Sequence, residues 1–307
     1  MNIISVKDLY KTYGKYQAVN GVNFNVNKGE IFGFLGPNGA GKSTTINILC
    51  TIIGRSSGEV LLDNLDVHKY QDAVRKKIGV VFQEQTLDIR LTLRENLLIH
   101  GKIYGIDKKN IEARIDEVLK IVELEDKKNC IISSFSGGMK RRVEIARAFM
   151  HQPDVLFLDE PTTGLDPQTR AHIWDYLTYL RDTYNMTIFL TTHYMDEAEI
   201  CDNIAIIDKG KIVEYGTPAE LKERVCSKKV ICRTLEIKEL TDYIATIDGC
   251  SFTIQQNEDV VIELQNSVTT FLSNLFKNTD INISNLRICY PTLDDVFMNI
   301  TGREIRD

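Results

Sequence analysis

The residues with the clearest capacity for chemistry lie in the run Gly36, Pro37, Asn38, Gly39, Ala40, Gly41, Lys42, Ser43. It fits the pattern G-x-x-x-x-G-K followed by Ser or Thr, set between an apolar run and a helical one. Glycines at these spacings let backbone N–H groups curl around phosphates, and a helix starting near Lys42 points its positive end at them. Lys42 is expected to reach β- and γ-phosphates, Ser43 to place its hydroxyl on Mg²⁺, and Thr44 to help cap the helix and hold the α-phosphate. A second group is Asp159 and Glu160, adjacent acids closing the apolar run 155–158. Two acids after a strand mean little alone. Downstream of a phosphate loop they form a Walker B motif, with Asp159 in the Mg²⁺ shell and Glu160 placed to polarise a water for attack on the γ-phosphate.

Such groups need a scaffold that gathers distant segments at one edge. Short β-branched runs at 31–35, 78–82, 155–158, 187–191 and 204–207 read as strands buried on both faces, which means a mainly parallel core sheet covered by helices. Between the second and third of them, Ile111, Ile115, Val118, Leu119 and Val122 recur at helical spacing and mark a helical subdomain over about 84–152. A short helical signal at 219–225 follows Gly216, Thr217 and Pro218, and the phosphate-site chemistry ends there. Strand-like residues 260–264 followed by helix-like 267–276 make the remainder a small α/β domain. The expected organisation is an α/β P-loop NTPase domain over 1–225 and an accessory domain over 226–307.

Composition narrows the class. Over 307 residues, 43% are hydrophobic and 26% charged, the balance of a globular protein with a packed core. The net charge of -6 argues against nucleic acid as a partner, and the local run Lys140, Arg141, Arg142 does not reverse it. Seven cysteines without a C-x-x-C pair fit a reducing compartment better than a disulfide framework or zinc site. Neither a secretory signal nor an apolar run near the ~20 residues needed to span a bilayer is visible, so a membrane component would be a separate chain.

Ser136, Gly137 and Gly138, followed by Met139 and a helical run shortly before the Walker B strand, resemble the signature motif of the ABC ATPases. Ser136 would cap a helix whose free N–H groups form an anion site. The other landmarks of that family follow in order. Tyr13 resembles the aromatic residue that stacks on adenine, with Tyr16 close enough to compete. Gln83 matches the glutamine that touches Mg²⁺ and water and begins the segment facing the membrane partner. Asp166, in Gly164, Leu165, Asp166, Pro167, resembles the loop that signals across the dimer, and His193 matches the switch histidine that contacts the γ-phosphate. Phe135 and Met139 depart from the commoner Leu and Gln. Those departures, with a tail containing Pro291, Thr292, Leu293, Asp294, Asp295, Val296, Phe297 and then Thr301, Gly302, Arg303, Glu304, resemble drug-resistance exporters of the daunorubicin type.

The resemblance implies an ATP-hydrolysing subunit at the cytoplasmic face of the cell membrane that binds ATP and Mg²⁺ and powers separate transmembrane permease subunits. Two copies, or one copy and a paralogue, would sandwich ATP. Lys42, Ser43, Gln83 and Asp159 of one subunit would hold it, with Ser136, Gly137 and Gly138 of the other, while Glu160, His193 and Gln83 serve hydrolysis. An exporter of drug, antibiotic, peptide or lipid-like cargo is the expected role. A soluble ABC ATPase of translation or DNA repair would usually carry two cassettes or a long coiled-coil insertion, and neither is seen. An importer ATPase is the other alternative; a subunit that only binds nucleotide is disfavoured by Glu160 and His193.

Overall fold

The computed structural model describes residues 1–225, 227–255, 259–264 and 267–302, which divide into one unit over Met1–Pro218 and a second from Ala219 onward. In the first unit, Gly14 takes a left-handed φ of 58° and turns β1 (Asn2–Tyr13) back into β2 (Tyr16–Asn27). Val22, Phe24 and Val26 are buried while Asn23 and Asn25 between them are exposed, the period-2 pattern of a sheet with one wet face. β4 (Ser57–Leu62) pairs with the other side of β1, and β5 (Leu65–Asp66) follows, giving an antiparallel sheet of order β2-β1-β4-β5. Strand reading by continuous apolar runs passes over this sheet, because its strands alternate.

The second sheet contains β3 (Ile31–Leu35), β6 (Ile78–Val81), β7 (Val155–Asp159), β8 (Thr187–Thr191), β9 (Asn203–Asp208) and β10 (Lys211–Gly216), in the order β10-β9-β3-β8-β7-β6. All neighbours are parallel except β10, which pairs antiparallel with β9. Every residue of β3 and β8 is buried, as strands covered on both faces require. The helices that separate these strands are α1 (Lys42–Leu49), α2 (Gln71–Lys77), α3 (Leu93–Ile103), α4 (Ile111–Ile121), α5 (Gly137–Phe149), α6 (Pro167–Tyr184) and α7 (Met195–Ala198). α3 opens with a capping box between Thr92 and Glu95, and α4 buries Ile111, Ile115, Val118 and Leu119, the expected helical stripe. α8 (Pro218–Val225) follows β10.

The two sheets of this unit meet through aromatic rings. The Phe24 ring lies 5.5 Å from Phe32, 5.6 Å from Phe34 and 6.0 Å from Phe189, and Phe189 lies 5.4 Å from Phe157. One strand of the antiparallel sheet is thereby fixed over β3, β8 and β7.

From Ala219 onward, β11 (Lys228–Thr234), α9 (Ile237–Ala245), β12 (Cys250–Ile254), β13 (Val260–Leu264), α10 (Val268–Asn278) and β14 (Ile283–Cys289) form a βαββαβ unit. Its antiparallel sheet has the order β12-β13-β11-β14. Val230 and Cys232 of β11 and Val260, Ile262 and Leu264 of β13 pack with Leu240 and Ile244 of α9 and Phe271 and Leu275 of α10. The unit therefore carries its own core. α11 (Leu293–Thr301) begins at a capping box between Thr292 and Asp295 and buries Leu293, Val296 and Phe297. Of the tail motif, Arg303 and Glu304 lie outside the described residues.

Phe189 is fully buried and touches the rings of both sheets, so Phe189→Ala should leave a cavity and cost the first unit about 3–5 kcal/mol. The protein's single tryptophan, Trp174 of α6, reports on that unit, and its fluorescence in a denaturant titration should show the midpoint falling with little change in slope.

Candidate active site

The parallel strands carry their carboxyl ends to one edge, and the loops leaving β3, β7 and β8 supply the site. The loop after β3 requires glycine at two places. A Cβ on Gly36 would stand 2.3 Å from the Ile207 carbonyl oxygen, and one on Gly41, at φ 112°, would stand 2.5 Å from that of Ala18. Thr45 Oγ1 donates to the Gly41 carbonyl at 2.9 Å and ties the first turn of α1 to the loop. Gly41 is the N-cap of α1 and no side chain caps it, so the expectation that Thr44 helps cap this helix is corrected. The Ala18 carbonyl leaves no room for a side chain at that cap position ahead of Lys42. Ser43 and Thr44 occupy the first turn, Ser43 exposed and Thr44 half-buried.

Lys42 folds back over the loop, its Nζ donating to the Gly36 carbonyl at 2.6 Å and the Pro37 carbonyl at 3.1 Å. Burial lowers its pKa, against the raising pull of Glu160 and Asp159. A cation held among carbonyls at the mouth of a helix N-terminus is a ready counter-charge for a polyphosphate.

Asp159 ends β7 directly opposite Thr191, the last residue of β8. The Thr191 hydroxyl donates to Asp159 Oδ1 at 2.5 Å. Burial raises the Asp159 pKa, the Thr191 hydrogen bond lowers it, and the charge of Glu160 raises it again. The chain then turns through Glu160 at φ 47°, a left-handed conformation for a non-glycine residue, held by its N–H donating to Thr191 O and Thr191 Oγ1, both at 3.1 Å. That turn points the carboxylate at its neighbours. Glu160 Oε2 accepts from Gln83 Nε2 at 3.1 Å and from Thr163 Oγ1 at 3.1 Å, and His193 Nδ1 lies 3.4 Å away. The structure thus brings Gln83, which lies 77 residues before Glu160, and His193 onto one Glu160 oxygen. Thr163 joins them without having been singled out from the sequence, where it reads as a turn residue. Glu197, buried on α7, accepts from the hydroxyls of Thr162 and Thr192 and braces the Glu160 and His193 loops together.

The remaining predicted residues fall into two places. Ser136 is the N-cap of α5, its Oγ accepting from Met139 N at 3.2 Å, as expected from its spacing. Asp166 caps α6, with Oδ1 accepting from Thr169 N at 3.0 Å and Oδ2 from the Thr169 hydroxyl at 2.7 Å. Thr169 in turn packs so closely on Gly138 that a Cβ there would lie 2.5 Å from its methyl group. The signature turn and the Asp166 loop are one packed corner, with Gly137 near Leu165. Near the phosphate loop, the exposed Tyr16 donates its hydroxyl to the Gly39 carbonyl at 3.3 Å, and the Tyr13 ring lies 4.9 Å from Lys11 Nζ. Both side chains are exposed, Tyr13 at 48% and Tyr16 at 60%.

Among the described residues, no group of three or more His, Cys, Asp or Glu is arranged to hold a metal by itself. The oxygens that the sequence assigns to a cation are the Ser43 hydroxyl in the first turn of α1, the Asp159 carboxylate at the end of β7 and the Gln83 amide that donates to Glu160. They suit a hard cation that takes its other ligands from water and nucleotide phosphates.

A family model described as "ABC transporter" matches residues 19–163. The linearmycin resistance ATP-binding protein LnrL of Bacillus subtilis (strain 168) is 37% identical to this chain, the match covering 99% of the chain and 100% of LnrL. The daunorubicin resistance ATP-binding protein DrrA3 of Streptomyces coeruleorubidus is 33% identical, covering 99% and 97%. Among solved structures, the dimeric ATP-binding cassette MJ0796 in a post-hydrolysis state, bound to ADP and Pi, superposes with a TM-score of 0.64 at 31% identity over 70% of this chain and 98% of that one.

The Asp159–Thr191 contact makes a prediction about pH. Thr191→Val removes the hydroxyl that lowers the Asp159 pKa, while burial and the Glu160 charge still raise it and the Lys42 and Arg141 charges still lower it. Asp159 then gains its proton at higher pH than in the parent. The acid limb of the ATP hydrolysis profile should move to higher pH while the alkaline limb stays in place; an unmoved acid limb would separate Asp159 from the titration that governs activity.

Proposed function

This chain belongs to the family of ABC transporter ATP-binding subunits, which hydrolyse ATP, and from that premise we propose that it is the motor of an exporter, driving separate transmembrane permease subunits from the cytoplasmic face of the membrane. No helix among the described residues is long and apolar enough to cross a membrane. The relatives LnrL and DrrA3 are named for resistance to linearmycin and daunorubicin. A transporter motor protects against a toxic compound by moving it outward, so this chain's cargo is read as drug- or antibiotic-like and its direction as export.

The observation that carries the catalytic reading is the convergence of Gln83, Thr163 and His193 on Glu160 Oε2 beside the phosphate loop. With ATP bound, Lys42 and the N–H groups of residues 36–44 take the β- and γ-phosphates. Ser43, Asp159 and Gln83 would hold Mg²⁺, which neutralises phosphate charge. The Glu160 carboxylate receives the proton of a water as that water's oxygen forms a bond to the γ-phosphorus. The bond from γ-phosphorus to the bridging oxygen breaks, and the electron pair leaves with ADP. His193 and Gln83 orient the water and the γ-phosphoryl oxygens, and Tyr13, with Tyr16 beside it, faces the adenine.

The signature residues Ser136, Gly137 and Gly138 complete the site of a second subunit, so two ATP molecules are sandwiched between two copies or between a copy and a paralogue. Asp166 carries the signal from one site to the other through its packed corner. Closure of the sandwich moves the segment 85–103, where exposed Ile89, Ile99 and Ile103 offer an apolar surface to the permease. The unit after Val225 is an accessory domain that supports the assembled motor and takes no part in the chemistry.

Glu160→Gln separates binding from chemistry. It keeps side-chain size and the capacity to hydrogen-bond but loses the proton acceptor, so ATP hydrolysis should fall by ~10²–10⁴-fold with nucleotide affinity retained. Unhydrolysed ATP should then hold the sandwich closed. Light scattering behind a sizing column should show this variant moving from monomer to dimer with ATP and Mg²⁺ and remaining monomeric with ADP. Adding Ser136→Arg should block the dimer, and an Glu160→Gln protein that turns over at the parental rate would remove Glu160 from its role.

A further inference from the structure

Arg141 and Glu144, one turn apart on α5, are charged side chains buried in the interior, 7% and 1% exposed. Lys140, Arg141 and Arg142 form a local basic run in the sequence, but Arg141 points inward. Its Nε donates to the Pro161 carbonyl at 2.5 Å, Nη2 to the Glu160 carbonyl at 2.8 Å, and Nη1 to the Phe82 carbonyl at 2.6 Å and to Glu144 Oε2 at 3.0 Å. The other oxygen of Glu144 accepts from the Thr86 backbone N–H at 2.9 Å. One ion pair therefore grips three separate segments: the helix begun by Ser136, the loop that aims Glu160, and residues 82–86 on either side of Gln83.

A guanidinium suits this place because its planar fork offers donors in several fixed directions at once, which an ammonium does not. Burying two charges is a poor way to gain stability, since apolar residues of like volume do as well or better. The return lies in geometry. The Glu160 backbone is held in its left-handed turn from one side by Thr191 and from the other by Arg141, and the Gln83 segment is fastened to the same cation.

We infer that Arg141, locked by Glu144, is a positioning residue for ATP hydrolysis and the rigid link by which the signature helix, the Glu160 loop and the Gln83 segment move as one body. When a partner's nucleotide engages the N-terminus of α5, the displacement passes through Arg141 to Glu160 and through Glu144 to Thr86. This rests on the reading of residues 36–44 as the ATP site, and the test keeps the two apart.

The experiment uses the full chain in three forms: parent, Arg141→Lys, and the charge-free double variant Arg141→Met with Glu144→Met. Glu160→Gln is added to each for hydrogen exchange, so that ATP persists. In the parent, ATP and Mg²⁺ should change exchange in peptides covering both 36–44 and 82–88. In both variants, 36–44 should still respond and 82–88 should not. Without the Glu160 substitution, kcat should fall at least tenfold with KM within about threefold. Arg141→Lys serves if the double variant does not fold. If the double variant matches parental thermal stability and also recovers kcat, or if 82–88 responds in it as in the parent, the pair is structural and the inference is overturned. Loss of the 36–44 response in the variants would also overturn it, because the pair would then shape the nucleotide site itself. A parent in which 36–44 does not respond to ATP would instead refute the ATP-site reading.

Discussion

The site depends on β7 and β8 lying parallel and in register, so that Asp159 stands opposite Thr191. From that pairing one threonine serves three purposes. Its hydroxyl fixes the Asp159 carboxylate, and its carbonyl and hydroxyl together receive the Glu160 N–H, allowing the backbone there to turn left-handed. A left-handed turn at a residue with a side chain is uphill, of order 1 kcal/mol or more, and persists only when its surroundings over-determine it. Asp159 and Glu160 are adjacent in sequence yet meet different surroundings because of this turn. Burial and the Thr191 hydroxyl act on Asp159, while Glu160 reaches out to Gln83, Thr163 and His193.

How much of this was legible in the sequence follows from the range of each interaction. The phosphate loop, the helix cap at Ser136 and the five core strands are local, set by glycine spacing, capping chemistry and short apolar runs, and the structure has them at those residues. Thr44 was misread because a capping role was assigned from residue type, whereas the loop closes its helix with Gly41. The antiparallel sheet was legible in the alternation around Phe24 but not in any continuous apolar run. Thr163, Thr191 and Glu197 carry no sequence signal of their own, since a polar residue in a turn or at a strand end is ordinary. Thr191 and Glu197 take their roles when distant segments meet, Thr191 with Asp159 at a separation of 32 and Glu197 with Thr162 at 35, while Thr163 reaches Glu160 within one turn, at a separation of 3.

Arg141 shows the same limit in sharper form. It shares a basic run with Lys140 and Arg142, and α5 winds in a way that turns only one of the three fully inward. Arg142 remains half-buried, donating to the Val122 carbonyl at 3.1 Å and lying 3.3 Å from the Tyr176 hydroxyl. A helix of period 3.6 spreads three consecutive residues over more than half its circumference, so neighbours in a charge run need share no environment. Helical phase, set by the buried Val143, Ile145 and Ala146, decides which of them enters the core.

Asp159, Glu160 and the loop 36–41 are fixed by strand register, glycine contacts and hydrogen bonds to Thr191. Ser136 and Asp166 stand at helix caps and Gln83 beyond the end of β6, and the buried Arg141 fastens α5 and the Phe82 end of that segment to the Glu160 loop. The unit from Ala219 onward has a core formed from its own two helices and four strands. Its sequence is accordingly free of the glycine and acidic patterns that constrain the first unit. The constraints of close backbone contact and buried charge fall on the carboxyl edge of one sheet in the first unit, while the second unit answers to the packing of its own core.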